Sequence, residues 1–162
     1  MLKKSILCFL SFILPFCLSA DMQEKTLSLI KPDAVEANHI GDIIAKFEKE
    51  NLRIAGLKMI RLTKKQAEDF YEIHRGKPFY ETLTDYMSSG PLVAIVLEGE
   101  NAVNKNRNIM GATDPSKAAP NTIRASYATS ITKNAVHGSD SLENAKKEIP
   151  FFFTEKEVYE RW

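Results

Sequence analysis

The stretch "PLVAIVLEG", residues 91–99, constrains this chain more than any other. It is the longest continuously apolar run outside the N-terminal leader, and such a run fits a strand buried on both faces at the centre of a sheet. Strand-like and helix-like periods alternate around it. "KTLSLI" (25–30) alternates Leu27 and Leu29 with smaller or polar residues and predicts a first strand. Lys31-Pro32-Asp33 ends that strand, because proline cannot continue a central one. "HIGDIIAKFEKEN" sets Ile40, Ile43, Ile44 and Phe47 at helical spacing against a polar face. "LRIAGLKMIRL" (52–62) alternates again and predicts a second strand.

Thr63 is placed to cap a helix from Lys64 to about His74, and a short amphipathic helix starts near Phe79 and stops at Gly90-Pro91. "NAVNKNRNIMG" predicts a helix ending at Gly111. Residues 112–133 are polar and broken by Pro115 and Pro120, which predicts a long functional loop. "NAVHG" is a last short strand and "DSLENAKKEI" a last helix, with Asp140 and Glu143 at capping-box spacing. With the helices between the second and third strands counted as additions, the order is βαββαβ. The expected class is α+β: a ferredoxin-like single domain whose four-stranded antiparallel sheet is covered by helices.

A chain of 162 residues, 44% apolar and 27% charged, suits one soluble domain. Its 22 basic and 21 acidic side chains give a formal charge of +1 and alternate without long runs, so no nucleic-acid footprint is indicated. The segment "MLKKSILCFLSFILPFCLSA" reads as a secretory signal peptide, too short and too interrupted by Pro15 to suggest a membrane anchor. Both cysteines, Cys8 and Cys17, lie inside it, which leaves the rest without disulfides or cysteine metal ligands. An alternative start at Met22 gives "MQEKTLSLIKPDAV", an ordinary cytosolic beginning.

Neither a G-x-x-x-x-G-K-[ST] loop nor a G-x-G-x-x-G is present among the seven glycines. If the chain handles nucleotides, side chains must hold the phosphates. Lys31, Arg107 and Arg124 are the candidates, each set against the commoner role of a solvated surface cation. Of the three histidines, His39 reads as exposed and His74 as a capping or surface residue. His137 stands apart in "NAVHGSDS". Gly138 removes bulk beside the ring, and a helix start at Asp140–Ser141 offers free N–H groups to an anion. A neutral imidazole oriented by a neighbour such as Glu148 is a nucleophile at physiological pH. A buried structural histidine fits the local sequence equally well.

These blocks resemble the nucleoside diphosphate kinase family over residues 26–153. "NAVHGSDS" matches its N-x-x-H-G-S-D-S signature, and "SLIKPDAV", "GKPFY", "SGPLVAIVLEGENAV", "MGATDPSKAAPNTIR" and "ENAKKEI" follow the family's order and spacing. The resemblance implies that His137 accepts the γ-phosphoryl group of a nucleoside triphosphate, mainly ATP, and passes it to a nucleoside diphosphate by a ping-pong mechanism. It implies phosphate binding by Lys31, Arg107 and Arg124, polar contacts from Thr113 and Asn134, and base stacking on Phe79. Tyr71 is expected near the transferred group, with Ser139 and Glu148 positioning the imidazole. Mg²⁺ is expected to arrive on the nucleotide phosphates, with no direct protein ligand. The ferredoxin-like fold and a loop closing over the nucleotide are implied as well.

Tyr80 stands where many relatives have a second phenylalanine, a harmless departure. The short tail to Trp162 resembles bacterial members, which points to a homo-oligomer, a tetramer ahead of a hexamer. A phosphohistidine relay acting on a protein partner is the alternative, but it needs neither Phe79 nor the nucleotide loop. Chemistry that draws on nucleoside triphosphates makes a cytoplasmic domain of residues 22–162 the expectation, with residues 1–21 an unusual or over-extended start.

Overall fold

Four strands, β1 (Gln23–Ile30), β2 (Arg53–Arg61), β3 (Pro91–Glu100) and β4 (Val136–Gly138), form one antiparallel sheet in the order β2-β3-β1-β4. They are seen in a computed structural model that describes residues 23–160; the leader-like segment and the choice of start lie outside the described residues. β3 pairs with β2 on one side and β1 on the other, and residues 92–99 are buried along their whole length. Leu92, Ala94 and Val96 enter one core while Val93, Ile95 and Leu97 enter the other. Burial on both faces is why this strand shows no polar alternation.

Among the described residues, seven helices cover the two faces: α1 (Pro32–Glu36), α2 (Ile40–Lys49), α3 (Lys64–Phe70), α4 (Tyr80–Ser88), α5 (Ala102–Met110), α6 (Ile123–Tyr127) and α7 (Leu142–Phe152). Ala67, Met87 and Phe152 from α3, α4 and α7 close over Leu27 and Leu29. Ala34, Ile43, Phe47, Met110 and Ile123 from the other four close over Ile30. Ile43 and Phe47 stand one helical turn apart and are both fully buried, the outcome that the spacing predicts. Removing Phe47 from water contributes about 1.5–3 kcal/mol. The arrangement is the expected ferredoxin-like one, with α3 and α4 as the additions between β2 and β3.

Local differences have local causes. Thr63 does cap α3: its Oγ1 accepts from the Gln66 amide at 3.2 Å, and Gln66 Oε1 accepts from the Thr63 amide at 2.9 Å. The helix stops at Phe70, however, and a separate 3₁₀ turn, Glu72–His74, follows. The run 112–133 is not without structure, since Pro115 opens a 3₁₀ turn and Thr122 caps α6. The expected capping box at Asp140 is corrected: the cap of α7 is Ser141, whose Oγ accepts the Asn144 amide at 3.1 Å. Asp140 instead accepts the Asn144 side-chain amide at 2.6 Å. The hydroxyl of Tyr80 donates to the Glu68 carbonyl at 3.0 Å, so the extra oxygen is satisfied.

Candidate active site

β4 is short, but both of its ends are tied to β1. The Lys31 amide donates to the Ala135 carbonyl at 2.8 Å, and the Ser139 amide donates to the Leu27 carbonyl at 3.1 Å. Between these ties His137 stands opposite Leu29, and the Ser28 hydroxyl donates to its carbonyl at 3.1 Å. Side chains alternate along a strand, so His137 points to the α3–α7 face while Gly138 meets α5. A Cβ at position 138 would lie 2.4 Å from Asn106 Nδ2 and 2.5 Å from Met110 Sδ. Glycine there is what lets α5 approach the strand.

His137 lines a cavity of about 420 Å³. Its Nε2 is 3.1 Å from Glu148 Oε2, and the Ser139 hydroxyl donates to the same oxygen at 2.7 Å. Phe70 and Tyr71 meet the imidazole edge-on, with ring centroids 5.3 and 5.8 Å away. In the neutral ring, an Nε2–H donated to this carboxylate leaves the Nδ1 lone pair free.

Cationic groups line the same cavity. Lys31 is 5% exposed, and its Nζ donates to Asn134 Oδ1 at 2.7 Å. Burial, helped by the charge of Arg124 and opposed by Asp33, lowers its pKa to about 8. Arg124 is held by three carbonyls, donating to Gly111 and Val136 at 2.9 Å and to Asn134 at 3.4 Å. Burial and then the Arg107 charge lower its pKa to about 10. Arg107 is exposed on α5 and faces the cavity, as does Thr113, whose carbonyl accepts from the Asn134 side chain at 3.4 Å.

At the other end Phe79 is 50% exposed, with the His74 ring 5.4 Å away. The Tyr71 hydroxyl is buried and has no partner among the described residues; burial first, and then Glu148, raises its pKa well above the ordinary phenol value. It is therefore a proton-bearing donor at neutral pH.

Of the residues expected from sequence, Lys31, Tyr71, Phe79, Arg107, Thr113, Arg124, Asn134, His137 and Glu148 all line this one cavity, with Ser139 buried behind it. His74, read as a cap or surface residue, belongs to the cavity wall too, because the 3₁₀ turn after α3 carries it between Tyr71 and Phe79. His39 stacks on Tyr127 at 4.3 Å. Ile131 at the rim and Asp33 and Tyr86 beneath the turn before β4 carried no signal that sequence reading used. Among the described residues no group of three or more His, Cys, Asp or Glu is placed to hold a metal. A cationic cavity with a stacking surface fits a polyphosphate joined to a flat base.

The family model described as nucleoside diphosphate kinase matches residues 24–158. Nucleoside diphosphate kinase 2 of Protochlamydia amoebophila is 61% identical over 138 residues, 85% of this chain and 96% of its own length. The nucleoside diphosphate kinase of a Nitratiruptor species is 63% identical over 135 residues, 83% and 98% respectively. Among solved structures, the Aquifex aeolicus nucleoside diphosphate kinase superposes with a TM-score of 0.82 at 47% identity, covering 84% of this chain and 99% of that one. A Halobacterium salinarum nucleoside diphosphate kinase in complex with CDP gives 0.83 at 37% identity, covering 86% and 93%.

Proposed function

Because the chain belongs to the nucleoside diphosphate kinase family, we propose that it moves the γ-phosphoryl group of a nucleoside triphosphate, chiefly ATP, to a nucleoside diphosphate through a phosphohistidine at His137. The observation that carries this reading is the Ser139–Glu148–His137 chain facing a cavity with cations at one end and Phe79 at the other. Glu148 holds the Nε2 proton, so Nδ1 attacks the γ-phosphorus. The bond to the β-phosphate oxygen breaks and the diphosphate leaves. An acceptor diphosphate then enters the same cavity, its terminal oxygen takes the phosphoryl group, the P–N bond breaks and the imidazole is regenerated.

Lys31, Arg107 and Arg124 bind the phosphates and meet the charge that builds during transfer. Tyr71 donates a hydrogen bond near the transferred group, Thr113 and Asn134 complete the polar contacts, and Phe79 stacks on the base. A divalent ion such as Mg²⁺, arriving on the nucleotide phosphates, would neutralise part of their charge. The same reading makes the active form a homo-oligomer, a tetramer ahead of a hexamer, which light scattering after gel filtration checks.

No helix among the described residues is long and apolar enough to cross a membrane. Dependence on nucleoside triphosphates favours a cytoplasmic domain of residues 22–162 begun at Met22. Mass spectrometry of exported native protein starting at Ala20 or Asp21 would overturn that start.

The deciding experiment is exchange of ATP and GDP for ADP and GTP, using protein begun at Met22 with His137→Ala alongside. GTP formed by the unmodified protein and abolished in the variant is the expected result. Phosphate that stays on His137 and never reaches GDP would overturn it in favour of a relay to a protein partner.

A further inference from the structure

Ala135 has a backbone φ of 66°, and the other positive-φ positions among the described residues are all asparagine or glycine. The Val136 amide donates to the Asn134 carbonyl at 2.7 Å, which closes a three-residue γ-turn around Ala135. That turn is the strained hand of its kind, and a side chain makes it less favourable still. Asparagine tolerates a left-handed backbone and glycine adopts it freely, whereas Ala135 is fully buried and does neither.

The turn is held from outside. The Ala135 amide donates to Asp33 Oδ2 at 3.0 Å, and the Tyr86 hydroxyl donates to the other oxygen, Oδ1. Asp33 lies in α1 and Tyr86 in α4, so the carboxylate links the Phe79 side of the cavity to the strand that carries the imidazole. The residue before the strained position, Asn134, accepts from Lys31 Nζ, and His137 follows two residues after it. The Lys31 ammonium also lies 5.9 Å from the Tyr86 ring centre.

We propose that Asp33 and Tyr86 are positioning residues for phosphoryl transfer: together they clamp Ala135 in its strained turn and so fix the spacing between Lys31, Asn134 and the imidazole of His137. The inference rests on the kinase reading above. A released clamp lets the turn relax towards negative φ, which moves Asn134 and His137 relative to each other. A displacement of about 1 Å costs transfer as much as roughly a hundredfold. Phe79 and Arg107 lie on other elements and stay in place, so the loss falls mainly on transfer and less on binding.

The test is single-turnover formation of phosphohistidine from ATP, with steady-state kcat and KM and the thermal midpoint beside it. It uses Asp33→Asn and Tyr86→Phe, each with and without Ala135→Gly. Each single variant is expected to slow phosphohistidine formation by about tenfold, with KM changed by less than about twofold. Ala135→Gly in the same chain is expected to restore most of the rate, because glycine holds the turn without the clamp.

Unchanged rates in folded variants, or a loss that Ala135→Gly does not restore, would overturn the proposal. If Asp33→Asn shows no cooperative unfolding transition, Tyr86→Phe, which removes a single oxygen, decides by the same criteria. Unmodified protein that forms no phosphohistidine would sink the kinase reading instead.

Discussion

Glu148 Oε2 sits 3.1 Å from the Nε2 of His137, and the Ser139 hydroxyl, 2.7 Å from that same oxygen, keeps the carboxylate from swinging away. One oxygen thereby sets both the tautomer of the ring and its orientation. Removing the charge while keeping the shape, as in Glu148→Gln, is expected to slow phosphohistidine formation about 10- to 100-fold, the usual cost of losing a partner that orients a histidine. Ser139→Ala should fall between this variant and the unmodified chain. Rapid-quench measurement of acid-labile, base-stable label from γ-labelled ATP checks both.

Lys31 makes activity and stability respond to pH in opposite directions. Its pKa is lowered from 10.5 to about 8, by burial first and Arg124 second. Above about pH 8 the free enzyme loses this phosphate-binding charge, so kcat/KM is expected to fall through an alkaline limb near that value. Bound polyphosphate restores the proton and moves the limb of kcat higher. Over the same rise the unfolded chain still holds the Lys31 proton that the folded chain has released. This term therefore adds stability as pH climbs from about 8 towards 10. Paired rate and denaturant profiles, with Lys31→Met as the comparison, show whether the two trends diverge; parallel trends would refute this account.

Phe79 offers a half-exposed ring with no hydrogen-bonding group, so it cannot distinguish bases by their edges. Phe79→Ala is expected to raise KM about 5- to 150-fold, equivalent to the 1–3 kcal/mol of one stacked base. The penalty should be similar for adenine, guanine and cytosine substrates, with little change in kcat. A penalty confined to one base would mean that the ring reads identity.

Gly138→Ala should be costly because the buried glycine meets α5 directly. The added methyl meets Asn106 and Met110, both buried on α5, so neither can retreat into solvent. The expected loss is about 1–3 kcal/mol, read from a lower denaturant midpoint at an unchanged slope. Met110→Ala in the same chain should recover part of it by opening space.

Much of this was legible because the informative signals were local or periodic. The two-sided burial of β3 wrote an unbroken apolar run, Ile43 and Phe47 wrote a helical period, and the residues flanking His137 wrote a motif. Elements five residues long, α1 and α6, are too short to carry a period, and each begins beside a proline or a polar loop. The cap of α7 was misplaced by one residue because Asp140 and Ser141 both have a partner at the right spacing, and only backbone geometry separates them. His74 reached the cavity wall because α3 breaks at Phe70, which helical spacing does not announce. The clamp on Ala135 joins Asp33 and Tyr86 across 53 residues and then reaches position 135 across another 102, separations at which spacing says nothing.

The pairing of β4 with β1 also limits how this chain can change length. Val136 and Gly138 face α2 and α5 while His137 faces α3 and α7, and the anchors at Ala135 and Ser139 allow no slack between them. One residue gained or lost there would reverse the alternation and turn the imidazole into the wrong core. Residues 112–133, on the outer side of the cavity, have no such parity to keep. Length variation in that run should therefore be confined to stretches away from α6, where buried Ile123 and carbonyl-pinned Arg124 are fixed, and none is expected from 135 to 139.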